Sequence, residues 1–328
     1  MKTALYWEKS GDKINCLLCP NYCVIAENKA GSCGIRKNIH GRLITTVYGE
    51  ITAFALDPVE KKPLYHFFPG MNILSIGTNG CNLACQFCQN WEISQNPDSG
   101  RQKISVEKVI EEALKTKAVG IAYTYNEPFI WYEFVLDIAR KAKEAGLKNV
   151  LVTNGYVNGG PLAELLPYID AMNIDLKAFS PGFYKSICKG DLYAVKDTIL
   201  TSFEKCHIEL TNLLIPGQND TGEELSAMAD WVAGISPDIP FHISRYFPQH
   251  LMKTGTTPLE CLRKAKKIME IKLKYVYIGN TNLPENGETL CSNCKKIVVS
   301  RSGYCLNEIN ILKGKCVYCG EKINGIFA

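Results

Sequence analysis

From Asn72 onward, short apolar runs alternate with stretches whose apolar residues recur every three or four positions. The runs NILSIG, VGIAYTY, KNVLVTN, AMNIDLK, HIELTNLLI, PFHISRY and LKYVYIGN predict strands. Between them, SVEKVIEEALKTK, WYEFVLDIARKAKEAG, PLAELLPYI, TGEELSAMADWVAGI and TPLECLRKAKKIMEI carry helical spacing, and helical material fills the stretch before Lys205. Ser105 and a threonine supply N-caps, a proline opens the short third helix, and Gly146 ends the second. Strand–helix alternation implies a parallel sheet. Six or seven units over roughly 210 residues are too few for a closed eightfold barrel. The expectation is an α/β fold, a partial (β/α)6 barrel, with its chemistry on loops at the C-terminal ends of the strands.

The flanks lack this rhythm. Residues 1–45 are rich in cysteine. A hairpin-like stretch follows, with apolar runs in GRLITTVYG and ITAFAL, and then DPVEKKPLYHFFPG, closed by a Pro-Gly turn. LPENGETL reads as a linker to a second cysteine-rich segment. Three domains are expected: a metal-binding segment (1–45), the barrel (46–285) and a tail (286–328).

Composition adds exclusions. Hydrophobic residues make up 46% and charged residues 21% of the 328, as in ordinary globular enzymes, so disorder and collagen-like repeats are excluded. No apolar stretch is long enough to span a membrane, and MKTALYWEKSGDK has no signal-peptide core. A cytoplasmic location and no membrane partner are expected. The formal charge of +4 is carried by the segment from Cys291 onward, which has six Lys or Arg and two Glu. Four thiolates on a zinc ion would halve that excess and the barrel is neutral, so nucleic acid is not an expected partner.

Fifteen cysteines are the unusual feature. Four (Cys188, Cys206, Cys261, Cys305) are scattered and read as small buried apolar residues. The rest form three groups with metal-ligand spacing. Cys291, Cys294, Cys316 and Cys319 form two CxxC knuckles at zinc-ribbon spacing, and four thiolates close a tetrahedron around structural zinc. An auxiliary iron–sulfur cluster is the alternative there. Such a tail is expected to be separable from the chemistry. Cys16, Cys19, Cys23 and Cys33 suit zinc or a second cluster; their spacing does not decide, and zinc is the reading adopted. Cys81-x3-Cys85-x2-Cys88 follows the first barrel strand. Three thiolates leave one iron of a [4Fe–4S] cube open to a small molecule. A three-thiolate zinc site is the bland alternative.

That spacing on that loop resembles the radical S-adenosylmethionine superfamily. The strings DPVEKKPLYHFFPG, SIGTNGCNLACQFCQNWEISQ and AYTYNEP, with LCPNYC, GSCGIR and the paired knuckles, resemble the radical enzyme of the AmmeMemoRadiSam system. The barrel is similar, more distantly, to pyruvate formate-lyase activating enzyme. The resemblance implies that Cys81, Cys85 and Cys88 hold the cluster and that S-adenosylmethionine is cleaved to a 5′-deoxyadenosyl radical that takes hydrogen from a substrate. It implies cofactor contacts from Asn126 and Glu127, where relatives have Gly-Gly-Glu-Pro, and from Thr153 and Asn154, where Val152 replaces an Asp that helps bind a monovalent cation. It further implies cofactor contacts from Asp175 and Lys177, for which a structural ion pair is the alternative, and from Gly279 and Asn280. Expected partners are a one-electron donor such as flavodoxin or ferredoxin and a protein of the same system. Two alternatives stand beside this reading: an activase that makes a glycyl radical on a protein partner, and a non-catalytic iron–sulfur electron-transfer or binding protein.

Overall fold

The computed structural model describes residues 1–96, 100–281 and 287–327. At its centre is one eight-stranded sheet: β1 (Ala53–Pro58), β2 (Asn72–Gly77), β3 (Gly120–Tyr123), β4 (Lys148–Thr153), β5 (Ala171–Asp175), β6 (His207–Leu214), β7 (Phe241–Arg245) and β8 (Val276–Gly279). The strands lie side by side in chain order. Strands β2 to β8 run parallel, with Ile121 beside Leu74 and Val150 beside Ala171, and β1 pairs antiparallel with β2. Helices α1 (Val106–Lys115), α2 (Tyr132–Glu144), α3 (Gly159–Leu165), α4 (Leu192–Phe203), α5 (Gly222–Ile235) and α6 (Leu259–Met269) form the crossovers. This gives six strand–helix units and a closing strand. The edge strands β1 and β8 do not pair, so the barrel is open. The inner strands are buried on both faces, as their dense apolar runs require.

The end signals act as the sequence suggests. Ser105 accepts a hydrogen bond from the Lys108 N–H at 3.2 Å, and Thr221 caps α5 through the Glu224 N–H at 3.2 Å. Gly146 takes φ +78° just past α2. One reading changes. GRLITT forms a hairpin with Arg36–Ile39 through His40 and Gly41, both at positive φ, whereas ITAFAL leaves that neighbourhood and becomes β1. A two-residue turn of that hand matches strand twist, so the hairpin closes on the preceding strand and not on the following one. The expected linker LPENGETL and the boundary at 285/286 overlap residues 282–286, outside the described residues. Among the described residues no helix is long and apolar enough to cross a membrane.

Residues 59–71 run beneath the N-terminal ends of the strands. There the fully buried Glu209 carboxylate accepts from the N–H groups of Tyr65 (3.0 Å) and His66 (2.7 Å) and pairs with His207 (3.1 Å) and His242 (2.6 Å). Burial alone would raise its pKa, but the two histidines hold it well below the usual carboxylate range.

The cysteine-rich tail docks on this floor. It carries β9 (Ile297–Ser302) and β10 (Cys305–Ile309). Arg301 on β9 lies 3.2 Å from Glu60 and donates to the Tyr65 carbonyl at 2.6 Å, and both charged side chains are wholly buried. Phe68 and His66 exchange backbone hydrogen bonds with Ile326, each at 2.7 Å. Cys291, Val298 and Cys316 share one apolar cluster with Tyr65, Tyr275 and Tyr277. So short a segment buries little surface by itself and completes its core on the barrel. Removing one partner of a buried ion pair strands the other, at a cost of about 3–5 kcal/mol. Arg301→Ala should destabilise the protein on that scale, and Glu60→Ala/Arg301→Ala by clearly less than the two single losses together. Denaturant unfolding of the four proteins checks this; strictly additive losses would show that the pair does not couple.

Candidate active site and metal centres

A cavity of about 1070 Å³ runs from the loops at the C-terminal ends of the strands down to the floor. Cys81, Cys85 and Cys88 line it, on the loop after β2. Gly77 ends that strand where a Cβ would sit 2.4 Å from the Thr124 carbonyl, so the loop can lie directly on the β3 end. Asn126 ties the loop down, accepting from the Thr78 N–H at 3.2 Å and donating to the Gly80 carbonyl at 3.1 Å.

The three thiols sense one another electrostatically, and burial pushes Cys81 and Cys88 upward. Cys81 also lies 3.5 Å from the Asn154 side-chain amide, and Cys88 3.0 Å from the Ser94 hydroxyl. Cys188, scattered in the sequence, sits against Cys85; hydrogen bonding between these thiols and then burial raise the Cys85 pKa well above normal.

Every other candidate around the triad reaches the same cavity: Asn126, Glu127, Thr153, Asn154, Asp175, Lys177, Gly279 and Asn280. Glu127 is 1% exposed. Its carboxylate accepts from the Phe129 N–H (3.0 Å), the Thr153 hydroxyl (2.7 Å) and the Asn154 N–H (2.8 Å). Burial outweighs these donors and raises its pKa to about 7. Two carboxylate oxygens offer about four acceptor sites, so one remains for a further donor. Lys177 and Asp175 form an ion pair at 2.7 Å. Burial would lower the lysine, but Asp175 and the thiols of Cys85 and Cys188 hold it protonated. Asn280 donates to the Arg245 carbonyl at 2.9 Å. Tyr125 occupies φ +74°, a region that favours glycine. Its hydroxyl, 2.8 Å from Asp57, and the Lys62 ammonium over its ring hold that backbone.

Sequence reading missed the lower cavity. Glu60, Tyr65, His242 and Arg301 line it. Glu60 and Tyr65 lie in the DPVEKKPLYHFFPG string, which was a usable signal; His242 and Arg301 sit in ordinary strand patterns and carried none.

The cysteine groups differ in sulfur spacing. Among the described residues, only Cys291, Cys294, Cys316 and Cys319 bring all their sulfurs within 4.8 Å of one another. Cys291 is 3.6 Å from Cys319, and Cys294 is 3.8 Å from Cys316. Tetrahedral bonds of about 2.3 Å place sulfurs about 3.8 Å apart, so this group could hold one metal ion. The Glu321 N–H lowers Cys319 to about 7, which favours its thiolate. The triad converges without closing that far. Three thiolates around a larger inorganic core, beside a roomy cavity, fit a [4Fe–4S] cluster with one open corner. In the N-terminal segment Cys19 senses Cys33, Cys16 and Cys23, and burial, its main cause, pushes the thiol up to about 12.

The family described as the Radical SAM superfamily matches residues 75–232, from the middle of β2 into α5. An uncharacterised protein of Methanocaldococcus jannaschii is 39% identical over 99% of both chains. The pyruvate formate-lyase-activating enzyme of Clostridium pasteurianum is 25% identical over 48% of this chain and 67% of its own length. The (2S)-3-sulfopropanediol dehydratase activating enzyme of Klebsiella oxytoca is 28% identical over 40% of this chain and 44% of its own length. Among solved structures, a radical SAM methyltransferase from Sphaerobacter thermophilus shares the fold, with TM-score 0.53, 14% identity and coverage of 70% and 71%. The match spans the cysteine loop and most of the strands around the cavity, and the chain belongs to the radical SAM superfamily as one of its enzymes, with the [4Fe–4S] cluster and S-adenosylmethionine that the family uses.

Proposed function

We propose that Cys81, Cys85 and Cys88 hold the cluster and that this enzyme acts, within the AmmeMemoRadiSam system, on a small molecule or a side chain of a protein partner. The observation that carries the reading is that three cysteines of one loop, Cys85 buried and Cys81 and Cys88 half-buried, line one cavity of about 1070 Å³, which has room for a cofactor and a second reactant. When bound, the cluster and S-adenosylmethionine supply reductive cleavage of the sulfonium and a 5′-deoxyadenosyl radical.

The chain's own residues orient and enclose. Glu127 offers its spare acceptor position to the cofactor's ammonium. Thr153 and Asn154 set the Glu127 carboxylate, and Asn154 also braces Cys81. Asn126 spends its side chain on the cysteine loop and leaves its backbone for the cofactor. The Asp175–Lys177 pair supplies a fixed charge beside Cys85, and Gly279 and Asn280 offer backbone groups to the adenine. Residues 59–71, β7 and the tail wall the lower cavity with Tyr65, His242 and Arg301, which favours a substrate that enters a pocket over a wide groove for a peptide loop. The activases among the relatives support the second reading, a glycyl-radical activase. A flavodoxin or ferredoxin is the proposed reductant. The tail is proposed as a structural zinc ribbon on its sulfur spacing, the domains as 1–45, 46–285 and 286–328, and the location as cytoplasmic, where cysteines stay reduced.

Cys85→Ala should abolish dithionite-driven formation of 5′-deoxyadenosine while leaving the far-UV spectrum intact; retained cleavage would sink the assignment. Glu127 needs its charge to hold an ammonium, and its pKa near 7 means that charge is lost as pH falls. S-adenosylmethionine affinity should rise with pH up to about 7 and then level. A charge-assisted hydrogen bond contributes about 1.5–3 kcal/mol, so Glu127→Gln should bind on the order of ten- to a hundredfold more weakly at pH 8 and lose the pH dependence. Calorimetric titration across pH 6–8 checks both; an unchanged, still pH-dependent affinity would make Glu127 a purely structural residue.

A further inference from the structure

The N-terminal quartet is a built site of its own. Cys16 ends a short strand, Lys13–Cys16, and its N–H donates to the Cys23 carbonyl at 2.9 Å, which folds the Cys19 turn back over it. Cys33 arrives on the turn before Arg36–Ile39. Cys16, Cys19 and Cys33 are buried, and Cys23 is half-buried. Backbone donors point at the sulfurs. The Ser32 N–H lies 3.4 Å from Cys23, and N–H groups of Ile35 and Arg36 reach Cys33.

The spacing of these sulfurs separates them from the tail. The tail's four sulfurs all lie within 4.8 Å of one another, and two pairs stand at 3.6 and 3.8 Å, as one ion demands. The N-terminal four face one another without reaching that closeness; among the described residues the tail group alone does so. In this they match the central triad, but with four thiols where the triad has three. A mononuclear zinc site has no use for the extra width. A cube with an iron at each of four corners does, and four thiolates leave it no open corner.

We infer that Cys16, Cys19, Cys23 and Cys33 ligate a second, fully protein-coordinated [4Fe–4S] cluster, in place of the zinc that the sequence reading preferred. Its place gives it a use. The Cys33 carbonyl packs on Gly80, the residue before Cys81, where an added Cβ would be only 2.5 Å away. The Asn21 side chain donates to the Asn82 carbonyl at 2.7 Å. The two cysteine loops therefore touch. Cys23 lies between exposed Tyr22 and Val24, so one edge of the quartet faces the surface. A one-electron donor protein can reduce a cluster at that edge, and the same electron can pass inward to the triad.

The inference stands apart from the role of the triad, and the test keeps them separate. The full-length Cys81→Ala/Cys85→Ala/Cys88→Ala protein, which leaves the quartet untouched, is expressed with iron and sulfur supplied and purified without oxygen. It should retain about four irons and four sulfides per chain. Dithionite should give it a paramagnetic signal that S-adenosylmethionine does not alter. Cys19→Ala/Cys23→Ala should lose that same amount of iron from the otherwise native chain. A triad variant without iron, whether the quartet holds zinc or nothing, overturns the inference. A triad variant with as much iron as the native chain instead counts against the triad as a cluster site and leaves the quartet assignment standing.

Discussion

The barrel is organised around a buried negative charge. Glu209 projects from β6 into the floor at zero exposure, where an unpaired carboxylate would cost several kcal/mol. Its donors come from three places: the 59–71 segment through two backbone N–H groups, β7 through His242, and β6 itself through His207. Satisfying the charge therefore fixes the segment beneath the strands. Once fixed, that segment presents Glu60 and the Tyr65 carbonyl to Arg301, and backbone groups to Ile326. The tail docks because the floor is already rigid, and the lower cavity has walls because the tail has docked.

Glu127 is the counterpart at the other end of the cavity. Both glutamates are buried and both accept several hydrogen bonds, yet their pKa values move in opposite directions. Two imidazoles flank Glu209, at 3.1 and 2.6 Å from its carboxylate. Glu127 has only neutral donors, and the Asp175 carboxylate nearby opposes its ionisation. One carboxylate is electrostatically complete and serves the fold. The other has no cationic partner among the groups that shift it and lines the cavity proposed to bind the cofactor. This contrast is why the floor reads as structural and the top as the binding end.

Much of the upper site was legible because strand ends are legible. Each strand–helix boundary predicts a loop, and the loops bearing Cys81, Glu127, Asn154 and Lys177 converge once the sheet is parallel. The lower site was not, because it is made by contacts between distant segments. Arg301 reads as an ordinary basic strand residue until its partner, 241 positions away, is known. Cys188 looked like filler for the same reason. Its neighbour Cys85 lies about a hundred residues earlier, and backbone hydrogen bonds from Ala84 to the Cys188 carbonyl and from Gln86 to the Ile187 carbonyl help bring the segments together. ITAFAL failed locally: its run of apolar residues fits a hairpin or a sheet edge equally well, and the His40–Gly41 turn had already given the preceding strand a partner.

Cysteine spacing in sequence and sulfur spacing in space carry different information. Sequence spacing says which thiols can meet. The surrounding fold says how closely. The tail's knuckles close to the separation of a single ion, with Cys291 3.6 Å from Cys319 and Cys294 3.8 Å from Cys316. The triad loop is held by Asn126 at Gly80 and by the backbone of residues 187 and 188 at Ala84 and Gln86. Drawing its sulfurs together would break those hydrogen bonds with no compensating contact. A scaffold that holds thiols apart disfavours a small ion by the cost of its own distortion and accepts a larger core without that cost. Selection between zinc and an iron–sulfur cube then follows from the hydrogen bonds around the cysteines as much as from the cysteines themselves.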